Sequence, residues 1–165
     1  MTADSTATAD AQATFRHVLG HFPSGVAVVT GIDAGEPVGL AVSSFTSVSL
    51  DPALVGFFPA RTSSSWPRIE RAGVFAVNVL GEDQEKLCRS FAVSGGDKFG
   101  DVRWRPGATG SPVLTGAIAS IECELHEVAG AGDHLFVLGR VRTLSSTPGR
   151  GPLVFFRGGY ARLGV

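Results

Sequence analysis

Apolar positions in this chain come in short runs, most of them too short for helices, and the runs are broken by glycine and proline. One early stretch has helical spacing. Phe15, Val18, Leu19 and Phe22 fall on one face, which predicts a short amphipathic helix over 11–21, ended by Pro23. After it the pattern is that of strands. "GVAVVTGI" is a β-branched run, "DAGEP" has turn chemistry, and "VGLAV" returns as a hairpin partner. "ALVGFF" and "VFAVNVL" follow, the second interrupted by Asn78. "ASIECELHEV" alternates with period two: Ile121, Cys123 and Leu125 on one face, Glu122, Glu124 and His126 on the other. "HLFVLGRVRTL" and "PLVFF" complete the strands.

Two further stretches suit helices. "SSSWPRIERAG" opens on serine and proline and stops at Gly73. "GEDQEKLCRSFA" places acids first, Lys86 and Arg89 later, and Leu87 with Phe91 on one face. Six or seven strands with short helices predict a closed or partly closed antiparallel barrel, with a two-sheet sandwich as the alternative.

Composition narrows the class. The 165 residues suit one domain over 11–165, with a polar, small-residue segment over 1–10 expected to be a disordered tail. Apolar residues make up 44% and charged residues 18%, enough for a core with a surplus for a pocket or a subunit interface. The net charge is −1 with no basic block, so no nucleic-acid partner is expected. The apolar runs are far too short for a membrane span, and the N-terminal segment has no signal-peptide pattern. Cys88 and Cys123 make neither a disulfide framework nor a metal spacing, so a reducing cytoplasm and no metal are expected.

The chemistry-bearing stretches are rich in hydroxyls. There is no GxGxxG after a strand, no GxxxxGK[ST], no GxSxG and no zincin histidine pair. Instead "AVSSFTSVSLDPAL" gathers Ser43, Ser44, Thr46, Ser47 and Ser49 on a bending strand. Such a bend aims hydroxyls and main-chain N–H groups at an anion or a polar ring edge. "PARTSSSWPRI" adds Arg61 to Ser63, Ser64 and Ser65 at a predicted helix start, a pattern suited to phosphate. The structural alternative is that these residues cap helices and fill turns. "GGDKFGDVRW" offers Lys98 for a phosphate and Phe99 for a flat ring, or else a solvated turn. "GAGDHLF" places His134 beside Asp133 at the start of a strand.

Together these segments resemble the flavin reductase family of the split-barrel flavin-binding fold, which supplies reduced flavin to two-component monooxygenases. The resemblance runs from about Phe15 to Leu163. It is carried by "FPSGVAVVT", "SSFTSVSLDP", "RAGVFAVNVL", "FAVSGGDKF", "WRPGATGSPVLTGAIASIECEL", "GDHLFVLGRV" and "PLVFFRGGY", in that order. It implies a mostly β, antiparallel, Greek-key-like split barrel that dimerises and binds FMN or FAD near the subunit interface. Ser43, Ser44, Phe45, Thr46 and Ser49 are then expected at the flavin. Arg61, Ser63 and Ser65 serve its phosphate side, with help from Phe91, Lys98 and Phe99. Asn78 is expected near the ring or the ribityl chain, and His134 with Tyr160 on the nicotinamide side.

The implied reaction is hydride transfer from NADH or NADPH to the flavin, with reduced flavin passing to a partner monooxygenase. His134 positions the nicotinamide and does not act as an obligatory base. The chain departs from the family pattern at Ala41, where relatives often carry threonine in "GMTASSF", and at Ala53, where a second proline is common. A tightly held flavin in an oxidase, or a non-catalytic flavin or nucleotide binder, remains the alternative function.

Overall fold

A computed structural model describes residues 3–163, with side chains from residue 9 onward. Twelve strands and three helices alternate in the order α1 (Ala3–Leu19), β1 (Ser24–Gly25), β2 (Ala27–Asp33), β3 (Glu36–Val42), β4 (Thr46–Leu50), β5 (Ala53–Phe57), α2 (Trp66–Ala72), β6 (Val74–Val79), α3 (Glu85–Ala92), β7 (Trp104–Pro106), β8 (Pro112–Leu114), β9 (Ala119–Ala131), β10 (His134–Ser146), β11 (Leu153–Phe156) and β12 (Gly159–Arg162). Seven strands form one antiparallel sheet in the order β3-β2-β6-β9-β10-β5-β4. Its two outer strands, β3 and β4, are consecutive in the chain. Val42 and Thr46 are four Cα steps apart, at most about 15 Å. The sheet therefore curls until its edges nearly meet, and the hydroxyl-rich segment bridges the seam. The split barrel expected from the sequence is the fold found.

Period two divides β2 between two apolar cores. Ala27 and Val29 join Val38, Leu40, Phe57, Phe75, Val77, Ile121, Cys123 and Val137 on one side, closed by Trp66 and Ile69 of α2. Val26 and Val28 join Leu80, Cys88, Phe91, Leu114 and Leu153 on the other, with Phe99, Trp104 and Tyr160 packed against them. The β2–β3 hairpin turns at Ala34 and Gly35, both at positive φ (52° and 83°), the geometry of a two-residue turn. α2 ends at Gly73, which takes a left-handed conformation (φ 68°) and donates its N–H to the Glu70 carbonyl.

Several expectations are corrected. The first helix runs from Ala3 to Leu19, longer than the expected 11–21; Met1 and Thr2 lie outside the described residues. The strand count rises because β1, β4, β7, β8 and β12 are two to five residues long, too short to carry a periodicity. Glu122 is not on a solvent face. It is 4% exposed and accepts the N–H groups of Ala108 (3.0 Å) and Thr109 (2.7 Å) and the Thr109 hydroxyl (2.8 Å). Burial pushes its carboxyl up, but these hydrogen bonds outweigh burial and hold it below the ordinary value. Period two fails here because the β7–β8 layer covers the second face of the strand.

Candidate functional site

Four loop segments converge at the barrel seam. Ser44, between β3 and β4, accepts the Phe58 N–H at 2.9 Å through its Oγ, pinning the seam to the end of β5. The next residues reach the β9–β10 turn: the Pro59 carbonyl accepts the Leu135 N–H at 2.9 Å, and Ala60 bridges to His134. Arg61 donates its N–H to the Asp133 carbonyl (3.0 Å) and its Nε to the Gly132 carbonyl (2.8 Å). Ser63 Oγ accepts the Trp66 N–H at 3.1 Å, satisfying the first N–H of α2 from two residues before its N-cap, Ser65. Ser65 Oγ accepts from Lys98 Nζ at 3.3 Å, which joins the loop after α3 to the band.

At the Lys98 end of this band lies a groove of about 500 Å³, within the usual range of small-molecule sites. β3 supplies Glu36, Pro37, Val38 and Gly39; Ser64, Ser65 and Arg68 form another wall, and residues Gly95 to Phe99 a third. Gly39 is required because the Phe91 ring packs on it; a Cβ there would fall 2.7 Å from Phe91 Cε1. Phe99 stands edge-on to Phe91, with centroids 5.0 Å apart.

The electrostatics of the groove centre on Lys98. Its half-buried ammonium donates to the Gly39 carbonyl, Ser65 Oγ and the Phe91 carbonyl, each at 3.3 Å, and pairs with no carboxylate among the described residues. Asp97, one residue away, accepts the Phe99 N–H at 2.9 Å instead. Burial lowers the Lys98 pKa below the usual lysine value. Its three N–H groups each have a neutral acceptor, and its charge has no counter-ion among the described residues.

The other candidates divide. Ser43 and Thr46 are exposed, Thr46 Oγ1 donates to the Ser47 carbonyl at 3.2 Å, Ser49 is half-buried beside a register shift of β4, and Phe45 packs on the barrel core. His134 stands at the rim with Nδ1 2.7 Å from Asp133 Oδ1, a contact that lowers the Asp133 pKa.

Two candidates do not join the band. Asn78 is fully buried, and its amide is committed to the core. Nδ2 donates to the Val28 carbonyl (3.1 Å), Thr30 Oγ1 (3.1 Å) and the Pro112 carbonyl (3.3 Å), and Oδ1 accepts the Leu114 N–H (2.8 Å). Nothing on it remains for a ligand. Tyr160 lies in the second core, its hydroxyl 3.2 Å from Cys88 Sγ and the Arg89 guanidinium over its ring. Burial, first, and Cys88 raise its pKa to about 12. It shares no described partner with His134.

Sequence reasoning missed Glu36, Gly39 and Arg68. Glu36 read as turn chemistry and Gly39 as a strand filler. Arg68 carried a signal, since it follows Ser65 by three residues and so shares its side of a helical turn.

The chain matches the Flavin reductase like domain over residues 19–164. It is 51% identical over 147 residues to a flavin reductase of Pseudomonas putida, covering 88% of this chain and 86% of that protein. It is 49% identical to HsaB, the reductase subunit of a flavin-dependent monooxygenase of Rhodococcus jostii, covering 88% and 75%. Nitrilotriacetate monooxygenase component B from Mycobacterium thermoresistibile superposes with a TM-score of 0.92 at 45% identity, over 95% of this chain and 89% of that one. The NADH:FAD oxidoreductase SgcE6 of Streptomyces globisporus, solved with NAD and FAD fragments, gives 0.88 at 39% identity over 93% of each.

Proposed function

The chain belongs to the flavin reductase like domain family, and from that membership we infer that it oxidises NADH or NADPH, reduces FMN or FAD, and releases the reduced flavin to a partner monooxygenase. The observation that carries the reading to this site is the Lys98 ammonium, half-buried in an open groove with neutral oxygens as its only described partners. A flavin phosphate supplies the charge that position lacks. Lys98 and Ser65 hold that phosphate, and Phe99 and the seam residues Ser43 and Thr46 border the rest of the flavin. When bound, the flavin accepts hydride at N5 from nicotinamide C4, so the hard chemistry is the cofactor's and the protein supplies orientation.

His134 positions the nicotinamide. Asp133 holds its Nδ1, which leaves Nε2 to donate to or accept from a carboxamide or phosphate. Arg61 is anchored on the turn that carries His134, through the Gly132 and Asp133 carbonyls, and ties that turn to the segment after β5. His134→Ala is expected to raise the KM for the nicotinamide about five- to tenfold, one hydrogen bond's worth, while the flavin dissociation constant moves less than twofold. Equal effects on both would take His134 off the nicotinamide side.

The assembly is a homodimer in this reading, supported by α1, whose described side chains are all exposed. Phe15 is 67% exposed and Phe22, just beyond the helix, 78%, with Val18 and Leu19 open between them. An apolar stripe of this kind on a folded chain is characteristic of an interface. A Phe15→Glu, Phe22→Glu double variant is expected to sediment as a monomer where the parent sediments as a dimer. Two free buried thiols, Cys88 and Cys123, favour a reducing cytoplasm, and among the described residues no helix is long and apolar enough to cross a membrane.

The deciding experiment is NADH and NADPH oxidation with FMN and FAD added in turn. Turnover well above the free-flavin background is expected. Flavin binding without turnover would leave a binder, and flavin that co-purifies and turns over with oxygen alone would make it an oxidase.

A further inference from the structure

The groove continues past Lys98. The Gly39 carbonyl marks one end, and Glu36, three residues back along β3, marks the other, about 10 Å away at strand rise. At that far end Glu36 pairs in register with Asp33 of β2, and Asp33 Oδ2 accepts from Arg68 Nε at 2.9 Å. Arg71 donates to the same carboxylate at 2.8 Å. These two guanidinium groups hold the Asp33 carboxyl below its ordinary pKa, Arg71 contributing most, so Asp33 stays ionised and fixes Arg68. Arg68 makes one side-chain hydrogen bond among the described residues, through Nε. Its two terminal amino groups are left for another anion, and Arg68 lines the groove. The groove thus holds a cation toward each end and a carboxylate at the far mouth.

We propose that the Arg68–Glu36 end of the groove is the subsite for the adenosine-monophosphate half of FAD, making this protein a reductase that prefers FAD to FMN. This rests on the assignment of Lys98 and Ser65 to the flavin phosphate. Arg68 takes the second phosphate, the group FAD has and FMN lacks. Glu36 accepts hydroxyls of the adenosine ribose, the role a carboxylate plays in many dinucleotide sites. Asp33 is a positioning residue that orients Arg68. The nicotinamide dinucleotide carries the same adenosine monophosphate unit. FAD is the assigned source because this end is continuous with the Lys98 end.

The test is equilibrium titration of FAD, FMN and riboflavin by flavin fluorescence, on the parent protein, Arg68→Gln and Glu36→Gln. AMP serves as competitor. The parent is expected to bind FAD about two- to fivefold more tightly than FMN, the discrimination one partly exposed cation supplies. Arg68→Gln is expected to erase that ratio while the FMN dissociation constant moves less than twofold. AMP is expected to displace FAD but not FMN. Arg71 still pairs with Asp33 in this variant, and a melting curve checks that the fold is kept. Equal losses for FAD and FMN would overturn the proposal. So would a raised KM for NADH with an unchanged FAD constant, which would give the subsite to the nicotinamide donor. If neither flavin binds the parent protein, the flavin assignment itself fails; if both bind with one affinity, only the subsite fails.

Discussion

Lys98→Gln is expected to weaken FMN and FAD about ten- to hundredfold and to leave riboflavin within about twofold. A hydrogen bond to a charged group contributes about 1.5–3 kcal/mol, and each 1.4 kcal/mol is a factor of ten in binding. Glutamine keeps a donor of similar reach, so the variant removes charge more than shape. Its amide still reaches toward the Gly39 and Phe91 carbonyls that Lys98 Nζ now contacts, and the loop stays in place. Riboflavin lacks the phosphate and serves as the internal control. The pH dependence has a definite sign. Burial lowers the Lys98 pKa, so without ligand the ammonium is lost at lower pH than for an ordinary lysine. Binding of the phosphate requires the charged form. Affinity is therefore full below that lowered pKa and falls as pH rises through it, whereas riboflavin affinity stays flat across the same window. Titration of FMN and riboflavin by fluorescence at neutral and alkaline pH reads both effects. A variant that binds FMN as the parent does, or that loses riboflavin equally, would remove Lys98 from the phosphate.

Much of the barrel was legible because its long strands carry their own period. β9 and β10 are thirteen residues each, and Ile121 and Cys123 face the core as the alternation requires. The hydroxyl-rich segment was legible as unusual but not as a seam. That role depends on β3 and β4 being the two outer strands of one sheet, a property of the strand order. Glu122 and Asn78 defeated local reading for one physical reason. A polar side chain in a strand reads as solvent-facing or ligand-facing unless a second layer covers it, and the covering layer comes from elsewhere in the chain. For Glu122 it is the loop at Ala108 and Thr109; for Asn78 it is Pro112 and Leu114 of β8. Lys98 and Ser65 were legible individually, through glycine-flanked and serine-rich motifs. Arg68 and Glu36 became visible only when β3 and α2 were seen to share a groove.

Asn78→Asp separates a core polar link from a cofactor contact, and its expected effect on stability is the largest of any single change considered. In the parent, Nδ2 donates toward three oxygens, the Val28 and Pro112 carbonyls and Thr30 Oγ1, and Thr30 Oγ1 itself donates to Pro112 at 2.5 Å. Aspartate puts an acceptor against those acceptors. Ionised, it is a buried charge without a partner; protonated, it restores one donor. The cost is about 3–5 kcal/mol, the range for breaking a buried network. For a domain of this size that lowers the Tm by roughly 6–20 °C. The sign with pH follows from the folded state requiring the neutral acid. The variant carboxyl has a raised pKa in the fold, so the part of stability owed to its proton is present below the unfolded aspartate pKa and is lost as pH rises above it. The gap between variant and parent should therefore narrow in mild acid and widen toward neutrality. Asn78→Leu, which strands the Leu114 N–H, should lower the Tm without that pH dependence. Thermal melts from pH 4 to 8, paired with FMN titration of whatever remains folded, give the result. Variants with parental Tm and lost FMN binding would return Asn78 to the cofactor; depressed Tm with FMN affinity retained in the folded fraction would keep it in the core.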